Sequence, residues 1–533
     1  MNILIAEPLA PAAVALLRAE AGWNIIQSSP RDFRAHLAIA DALIVRSAVK
    51  VTADVLTQAS NLRVVGRAGV GTDNIDLAVA TERGVLVMNT PGGNAVSVAE
   101  HTMALMLAMA RSIPQASAST RAGRWEKKKF LGTELHGKTL GVIGLGNIGV
   151  AVVRLARPFG MKMIAHDPYV SPQIASDEGV DLVPLDELYA RADYLTLHMS
   201  LTAQTRSMLN RGAFAKMKPG VRIVNCARGE LIDPAALDEA LASGRVAGAA
   251  LDVFSPEPPP SNYPLFARAT LVATPHIAGS TEEAQETVSI RIAEQIREFL
   301  KNSVVINGVN MPAVSAEEYR HLRPYVQLAK RLGSFVAQIS AGSPRGVRLT
   351  YSGKLAESNT NLIRNAALAG MLNRFLSQRA NLVNAAQIAA ARGWRIDEVR
   401  GARLQYTDSI AVVLSTDCGG SSVEGTVLLD VSPRLLSVDG IYVEAPLEGH
   451  LVFMKNQDVP VVIGRVGTIL GENKINIANF SLGRRENHAT PGEPAEAVAV
   501  VHVDERVPEP VLDQLRRSPG VRSACAVELE GGG

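Results

Sequence analysis

Apolar runs of strand length alternate with helical patterns through the first half of the chain. The apolar runs lie at 3–6, 41–45, 62–65 and 85–88, and the stretch 12–19 between the first two repeats its apolar positions with helical spacing. Strands that alternate with helices predict a parallel sheet with helices on its faces. We therefore expect the chain to begin with an α/β module.

A second run of this kind, at 138–168, contains a glycine-rich turn. A short apolar strand leads into GLGNIG, a helical stretch follows, and the next apolar strand ends at Asp167. The three glycines suit a tight turn, a close approach of backbone to a pyrophosphate, and close packing of helix on strand. The helix N-terminus offers N–H groups to phosphate, and a carboxylate after the next strand suits the ribose hydroxyls of NAD better than a 2′-phosphate. The candidate cofactor contacts here are Gly144, Gly146, Asn147, Ile148, Gly149 and Asp167.

The late position of this turn predicts two doubly wound parallel-sheet (Rossmann-like) domains in tandem rather than one large sheet. A helical pattern over 94–118 would carry the chain from the first to the second, and another over 281–300 would return it. The stretch 302–309 reads as a linker. We expect a discontinuous substrate-binding domain formed by 1–96 and 286–309, with the nucleotide-binding domain at 97–285.

Beyond residue 310 the pattern changes twice. Residues 310–446 mix long helical patterns with polar strands and predict an α+β intervening domain without visible catalytic residues. Residues 447–533 read strand, helix, strand, strand, helix, strand. This βαββαβ order predicts a four-stranded antiparallel sheet, and the open edges of such a sheet favour pairing with a second copy.

Composition narrows the classes of function. Of 533 residues 47% are hydrophobic and 20% are charged, and the formal net charge is +2, which gives no field for nucleic acid or membrane binding. Three widely separated cysteines, Cys226, Cys418 and Cys525, have no metal-ligand spacing and fit a reducing compartment. The first residues lack the features of a secretory signal. We expect a cytoplasmic protein without a metal.

Four short segments after the glycine turn carry chemistry-bearing residues. Arg228 ends one apolar strand and Asp252 ends another, Glu257 lies in a proline-rich loop, and His276 follows a further strand. Ligands of open α/β sheets bind at the carboxyl ends of the strands. The topology therefore predicts that these side chains converge beside the glycine turn.

Several motifs resemble one family. NCARGE, LDVFSPEP, PHIAGST and GLGNIG, with RAGVGTDNIDL (67–77) and VMNTPGGN (87–94), are similar to the signatures of the D-isomer-specific 2-hydroxyacid dehydrogenases. The whole chain resembles the long members of that family, which end in an ACT domain. The resemblance implies NAD-dependent oxidation of 3-phospho-D-glycerate to 3-phosphohydroxypyruvate, the first step of phosphorylated L-serine synthesis. It also implies a homo-oligomer, a dimer or tetramer.

Hydride transfer from an alcohol requires a base, and His276 has a pKa suited to that task. Glu257 would orient the ring and raise its pKa, and Arg228 would hold the substrate carboxylate with a planar fork that Lys lacks. The resemblance adds further cofactor contacts, which are Cys226, Ala227, Arg228, Asp252, His276 and Gly279.

Arg46 and Arg67 end two strands of the first module and would bind the substrate phosphate, although either one could instead be a solvated edge residue. The neighbouring substrate-binding candidates are Ser47, Gly69, Val70 and Asn74. The run 127–129 of three lysines is either a solvated surface or reaches a neighbouring subunit's cleft.

The ACT-like region implies feedback by L-serine at an interface between two copies, with Asn456, Asp458 and Asn476 as effector contacts. Val461 stands where the family usually carries glycine, so access of a ligand to the backbone is restricted there.

Two other functions remain open at this stage. One is a dehydrogenase of an unphosphorylated D-2-hydroxyacid such as glycerate, and the other is a binding protein that senses NAD(H) without turnover. Arg46 and Arg67 argue for a phosphorylated substrate, and the set of Arg228, Glu257 and His276 argues for catalysis.

Overall fold

The structure, a computed structural model, describes residues 1–312, 316–376, 379–401, 408–429, 432–485 and 495–529. The first sheet consists of β1 (Asn2–Ile5), β2 (Asn24–Gln27), β3 (Ala42–Val45), β4 (Val64–Arg67) and β5 (Leu86–Met88), with helices α1 (Pro11–Arg18), α2 (Ala53–Gln58) and α3 (Leu77–Glu82). Its strands are all parallel, in the order β2-β1-β3-β4-β5. β3 is buried at all four positions, as expected for a strand covered on both faces.

The predicted long helix at 94–118 is wrong in one respect. Two helices replace it, α4 (Ala95–Ala110) and α5 (Ile113–Arg121), and Ser112 between them adopts a left-handed conformation with φ 49°. Pro114 explains the break, because a proline has no N–H to donate and its ring clashes with the carbonyl four residues earlier.

The second sheet follows α5. Its strands are β6 (Thr139–Ile143), β7 (Lys162–His166), β8 (Asp181–Leu182), β9 (Tyr194–Leu197), β10 (Val221–Asn225), β11 (Val246–Leu251) and β12 (Leu271–Ala273). Its helices are α6 (Asn147–Ala156), α7 (Pro172–Asp177), α8 (Leu185–Arg191), α9 (Arg211–Lys216) and α10 (Pro234–Ala242). All pairings are parallel, in the order β12-β11-β10-β9-β6-β7-β8. Two doubly wound sheets are therefore confirmed, and the glycine turn after β6 lies where the strand order reverses.

Helix α11 (Glu282–Asn302) returns the chain to the first sheet. The Thr281 side chain caps it by accepting from the Ala284 N–H, and Ile292 and Ile296 are fully buried in the core of the first sheet. The predicted linker is fixed against that sheet, because the Val309 N–H donates to Val87 O at 2.7 Å.

An intervening unit follows, with helices α12 (Ala316–Ile339), α13 (Asn361–Phe375) and α14 (Ala385–Ala391) and strands β13 (Pro344–Gly353), β14 (Arg395–Gly401), β15 (Asp408–Thr416), β16 (Gly419–Leu428), β17 (Ser432–Val438) and β18 (Ile441–Pro446). Its strand order is β14-β13-β15-β16-β17-β18, and only the β13–β14 pairing is parallel. Asn381 and Asn384 join it to the first unit by donating to the carbonyls of Gly84 and Glu82.

The C-terminal unit has the predicted βαββαβ order. Its elements are β19 (His450–Gln457), α15 (Val462–Glu472), β20 (Ile477–Arg484), β21 (Glu496–Val503), α16 (Glu509–Arg517) and β22 (Val521–Glu528). The antiparallel sheet has the order β20-β21-β19-β22. One face packs on α15 and α16, and the other joins the intervening core, where the rings of Phe335 and Phe453 meet edge to face at 5.8 Å. The expected open edge at β20 is partly covered, because a Cβ on Gly483 would lie 2.1 Å from Tyr442 O of β18.

Within these described ranges no helix combines the length and apolarity needed to cross a membrane. The same residues include no group of three or more histidine, cysteine, aspartate and glutamate side chains placed to hold a metal ion.

Candidate active site

The three glycines of the turn between β6 and α6 have different surroundings: two are closely packed against backbone, and the third faces open space. Gly144 has φ 92°, and a Cβ there would lie 2.5 Å from His198 O, while a Cβ on Gly149 would lie 2.1 Å from Gly144 O. Contacts this short exclude any side chain. Gly146 differs, since a Cβ on it would meet nothing within 4 Å. The space in front of Gly146 is open to a ligand.

The N-terminus of α6 faces this space without a capping side chain. Gly146 occupies the N-cap position, so the first N–H groups of the helix are available to an anion. Asp167 stands beside them, because its Oδ2 accepts from Leu145 N at 2.8 Å and its Oδ1 accepts from Tyr169 N at 2.9 Å. The open cradle, the free N–H groups and the fixed carboxylate are the donor and acceptor set that a dinucleotide requires. The residues present therefore fit NAD.

His276 and Glu257 form a pair in the loops that follow β12 and β11. His276 Nδ1 lies 2.7 Å from Glu257 Oε2, and Glu257 Oε1 accepts from Phe254 N at 2.8 Å. The hydrogen bond to Glu257 raises the pKa of His276, and burial opposes it. Burial by itself would raise the pKa of Glu257, but the bonds from His276 and Phe254 hold it below its usual value. The pair is thus arranged so that the Glu257 carboxylate stabilises the protonated form of the His276 ring.

The backbone of His276 adopts φ 55°, which is uncommon for a residue other than glycine. Asp252 holds this loop in place. Its carboxylate is fully buried and accepts from Thr274 Oγ1 at 2.6 Å, Ile277 N at 2.9 Å and Ala278 N at 2.9 Å. Burial alone would raise the pKa of Asp252, but hydrogen bonds from His101 and from these three groups hold it below its usual value. Asp252 was predicted as a cofactor contact, and its contacts here are those of a residue that positions His276.

Arg228 is fixed by its neighbours at the end of β10. Its Nε donates to Asp73 Oδ2 of the first unit at 2.9 Å, across the crevice between the first two units, and its Nη1 donates to Ala227 O at 2.6 Å. Buried Asn225 holds the same turn, because its Nδ2 donates to Arg228 O at 2.8 Å. The guanidinium influences the pKa values of both His276 and Glu257, so the three predicted catalytic side chains lie together.

The remaining predicted cofactor contacts are placed differently. The Cys226 side chain packs in the core of the second unit, and burial raises the pKa of its thiol to about 12, so only its backbone can face a ligand. Gly279 lies against Asn94 at the start of α4, where a Cβ would be 2.8 Å from Asn94 Nδ2.

Three guanidinium groups meet at the carboxyl ends of β3, β4 and β10. Burial lowers the pKa of Arg67 to about 10, with further lowering by the charges of Arg228 and Arg46 and opposing contributions from Glu7 and Asp73. The Arg67 guanidinium folds over Gly69, where a Cβ would lie 1.3 Å from Nη1. Neither predicted phosphate-binding arginine extends freely into solvent, since Arg46 is also half-buried.

The other predicted substrate-binding residues divide into two groups. Ser47 is exposed at the mouth of the crevice. Asn74 is occupied, because its Nδ2 donates to Arg46 O at 2.9 Å and to Val49 O at 2.7 Å. The Val70 carbonyl accepts from Asn89 Nδ2 at 2.6 Å. Asn74 and Val70 thus shape the loops, whereas Ser47 is free to face a ligand.

Three stretches of the chain match the models of known protein families. The D-isomer specific 2-hydroxyacid dehydrogenase NAD binding domain matches residues 103–278, the D-3-phosphoglycerate dehydrogenase intervening domain matches 321–439, and the ACT domain matches 450–520. D-3-phosphoglycerate dehydrogenase of Methanocaldococcus jannaschii is 43% identical over 99% of this chain and 100% of its own length. The chain belongs to the D-3-phosphoglycerate dehydrogenase family. It is therefore an oxidoreductase with an NAD-binding domain.

Further relatives agree with this D-3-phosphoglycerate dehydrogenase assignment. The D-3-phosphoglycerate dehydrogenase of Bacillus subtilis is 39% identical over 95% of each chain. Among solved structures, the NAD-dependent formate dehydrogenase of Staphylococcus aureus in complex with NAD is 29% identical and covers 56% of this chain and 96% of its own, with a TM-score of 0.51. This likeness is confined to part of the chain.

The predicted effector residues of this D-3-phosphoglycerate dehydrogenase homologue do not meet within one chain. Asn456 is opposite Ala497 in the sheet, whereas Ile477, next to Asn476, is opposite Val503 at the other end. Six residues of strand separate the two positions, about 20 Å at the usual rise per residue. Asn456 is buried with its Oδ1 unpartnered among the described residues, Asp458 lies 3.3 Å from Arg484 Nε, and Asn476 donates to Asp504 at 2.7 Å.

Sequence reasoning missed four residues that hold the site. Asp73 and Asn225 lie inside motifs that the sequence displays, so their position next to Asn74 and Cys226 was a usable signal. His101, which lies 3.1 Å from Thr274 Oγ1 and 3.4 Å from Asp252 Oδ1, gave none, since a lone histidine in a helix is common. Glu7 lies two residues after β1, where an acid beyond the carboxyl end of a strand is a weak signal.

Proposed function

We propose that this chain oxidises 3-phospho-D-glycerate to 3-phosphohydroxypyruvate, the first step of phosphorylated L-serine synthesis. The observation that carries the proposal is the 2.7 Å contact of His276 Nδ1 with Glu257 beside the guanidinium of Arg228. A protein that only senses NAD(H) does not need a base with an oriented ring. The names of the full-length relatives support the choice of substrate.

His276 is the proton acceptor. A carboxylate only accepts hydrogen bonds, so Nδ1 carries the proton that points to Glu257, and Nε2 is left to take the proton of the substrate hydroxyl. Glu257 then stabilises the imidazolium that forms. NAD, when bound, supplies the hydride acceptor. In the reverse direction Nε2 returns its proton to the new alkoxide oxygen.

Arginine side chains account for the two anionic ends of the substrate. Arg228 is fixed by Asp73 and Ala227, and its remaining N–H groups suit a carboxylate. Arg46 and Arg67 stand at the neighbouring strand ends and would bind the phosphate, together with the exposed Ser47. A phosphate dianion between two guanidinium groups offsets the repulsion that these groups exert on each other.

The test is NADH production from 3-phospho-D-glycerate compared with D-glycerate and other D-2-hydroxyacids. The proposal expects the highest kcat/KM for the phosphorylated substrate. Replacement of Arg46 or Arg67 by Gln should raise the KM for that substrate far more than the KM for glycerate. A preference of the wild type for glycerate would establish the unphosphorylated alternative, and NAD binding without any turnover would establish the sensor.

The chain acts as a homo-oligomer, a dimer or tetramer, in this proposal. Ile113, Trp125 and Leu131 are 51, 84 and 94% exposed on one stretch of chain around α5. Large apolar side chains this exposed are typical of a contact surface. The three lysines at 127–129 lie in the same stretch and could then reach a second copy. Light scattering should show a smaller assembly for Trp125→Ser with Leu131→Ser, and an unchanged mass would remove this surface from consideration.

L-serine is the proposed effector of the C-terminal unit. Asp458 offers a carboxylate to an ammonium group, and Asn456 and Asn476 offer amides to a carboxylate. Because Asn456 and Asn476 lie at opposite ends of one sheet, a site that uses both amides requires a second copy of the chain. A dose–response curve against L-serine tests this, and full activity at millimolar serine would refute it.

A further inference from the structure

A buried carboxylate lies beneath the loop that carries Arg46. Glu7 lies two residues after the end of β1 and is 6% exposed. Its Oε1 accepts from Arg46 N at 2.8 Å and from Val49 N at 2.9 Å, and its Oε2 accepts from Ala48 N at 3.1 Å. One side chain thus satisfies three backbone N–H groups of a single loop. The proton-transfer step described above makes no use of this side chain.

The position of Glu7 follows from the topology. The strand order reverses between β1 and β3 in the first sheet, and the crevice at such a point is where ligands of this fold bind. Glu7 lies just beyond the end of β1, and the loop 46–49 follows the end of β3. The carbonyls of Arg46 and Val49 are held from the opposite side by Asn74. Both the donors and the acceptors of the loop are therefore fixed by side chains.

This arrangement decides which groups the loop can offer to an anion. The N–H groups of Arg46, Ala48 and Val49 point to Glu7 and are not available to a ligand. What remains is the exposed Ser47 and the guanidinium of Arg46, whose Nη1 donates to Pro8 O at 3.4 Å while its other N–H groups are left for a ligand. The negative charge of Glu7 also helps to keep the half-buried Arg67 protonated next to Arg46 and Arg228.

We propose that Glu7 is a positioning residue for phosphate recognition: it holds the loop 46–49 so that Arg46 and Ser47 face the 3-phosphate of the substrate. The inference rests on the proposed function for the phosphorylated substrate. It makes the selectivity for phosphate depend on a residue that does not touch the substrate. Preorganised loops bind more tightly because less order has to be created on binding.

Glu7→Gln tests this with little change of shape. The amide nitrogen replaces one acceptor oxygen, so at least one buried N–H of the loop loses its partner. We expect the KM for 3-phospho-D-glycerate to rise about tenfold while kcat stays within about twofold, since a lost uniform binding interaction acts on KM. The kcat/KM for D-glycerate should be unchanged. Hydrogen exchange of the amides at 46–49 should become faster.

Two further variants keep the test independent of folding. Glu7→Asp retains the charge on a shorter stem and should give a KM between wild type and Glu7→Gln. Glu20→Gln is the matched control, because Glu20 pairs with Lys301 at 2.7 Å in the same unit and contacts no part of the loop. It should leave both KM values unchanged.

A proportional loss of activity on both substrates in Glu7→Gln would overturn the inference, because a merely structural defect acts on both. Faster exchange at 46–49 without a change in KM would also overturn it. The proposed function has a separate test that needs only the wild-type protein. A higher kcat/KM for D-glycerate than for 3-phospho-D-glycerate would refute it.

Discussion

The crevice between the first two units and the C-terminal unit gather their candidate residues in opposite ways. In the crevice, Arg46, Arg228 and His276 come from loops far apart in sequence and still lie together in one chain. In the C-terminal unit, Asn456 and Asn476 are only twenty positions apart in sequence yet lie at opposite ends of one sheet.

Sheet topology explains the difference. Every strand of a parallel sheet ends at the same edge, so residues that follow successive strands collect there. In the C-terminal unit, β19 and β20 both pair antiparallel with β21 and so run in the same direction. Asn456 lies near the end of β19 and Asn476 just before the start of β20, which places the two residues at opposite edges of the sheet. Residues that all follow strand ends can thus form a site within one chain, whereas a site that uses both Asn456 and Asn476 would require a second copy.

The largest effect expected from this comparison concerns His276. His276→Ala removes the proton acceptor and should lower kcat by about 10³-fold, within the usual range for general base catalysis. The affinity for NAD, measured by calorimetry, should stay unchanged because the glycine turn is untouched. Unchanged turnover would show that another group takes the proton.

Arg228→Lys tests whether the crevice relies on a planar fork. Lys keeps the charge but cannot make the paired contacts, so kcat/KM should fall about 30-fold, equivalent to ~2 kcal/mol for a hydrogen bond to a charged group. Arg154→Lys is a matched control, because Arg154 pairs with Glu178 on the surface of the second unit. Equal kcat/KM for Arg228→Lys and the wild type would remove Arg228 from the carboxylate site.

The C-terminal unit predicts complementation between subunits. Asn456→Ala and Asn476→Ala should each raise the serine concentration for half inhibition by about tenfold, the value of one lost hydrogen bond. Mixed oligomers of the two variants should regain part of the wild-type response, because one of their interfaces combines both intact residues. No recovery in the mixture would contradict a site shared between copies.

The smallest effect is expected at Val461. It precedes α15 in a left-handed conformation with φ 81° and is 63% exposed. A β-branched residue is strained there, so Val461→Gly should raise the free energy of unfolding by about 1 kcal/mol. Val462→Gly is the control and should destabilise, because Val462 is buried inside the helix. Urea denaturation measures both, and a less stable Val461→Gly would show that no strain is stored.

The parallel strands were predictable because apolar runs buried on both faces are visible in sequence. The sequence pattern did not predict β2 (Asn24–Gln27), because this edge strand has no fully buried position. The sequence predicted that His276 lies beside Glu257, and the two side chains are in contact, while their roles in turnover remain predictions.

What the sequence could not show is where polar side chains find their partners. Asp252 and Asn74 lie in the expected motifs, yet both side chains form hydrogen bonds with the backbone of nearby loops. Glu7 belongs to no motif, and only the fold brings it beneath the loop of Arg46. Partner choice of this kind depends on tertiary contacts between segments distant in sequence, which no local pattern encodes.

The pH dependence of oxidation in wild type and Glu257→Gln tests the central pair most directly. His276 must be neutral to accept the proton, so kcat/KM rises with pH through its pKa, which Glu257 raises. Loss of the carboxylate charge should move the acid limb of the profile about one unit to lower pH. A limb at the same pH in both proteins would contradict the account, because His276 and Glu257 would then not act as a pair.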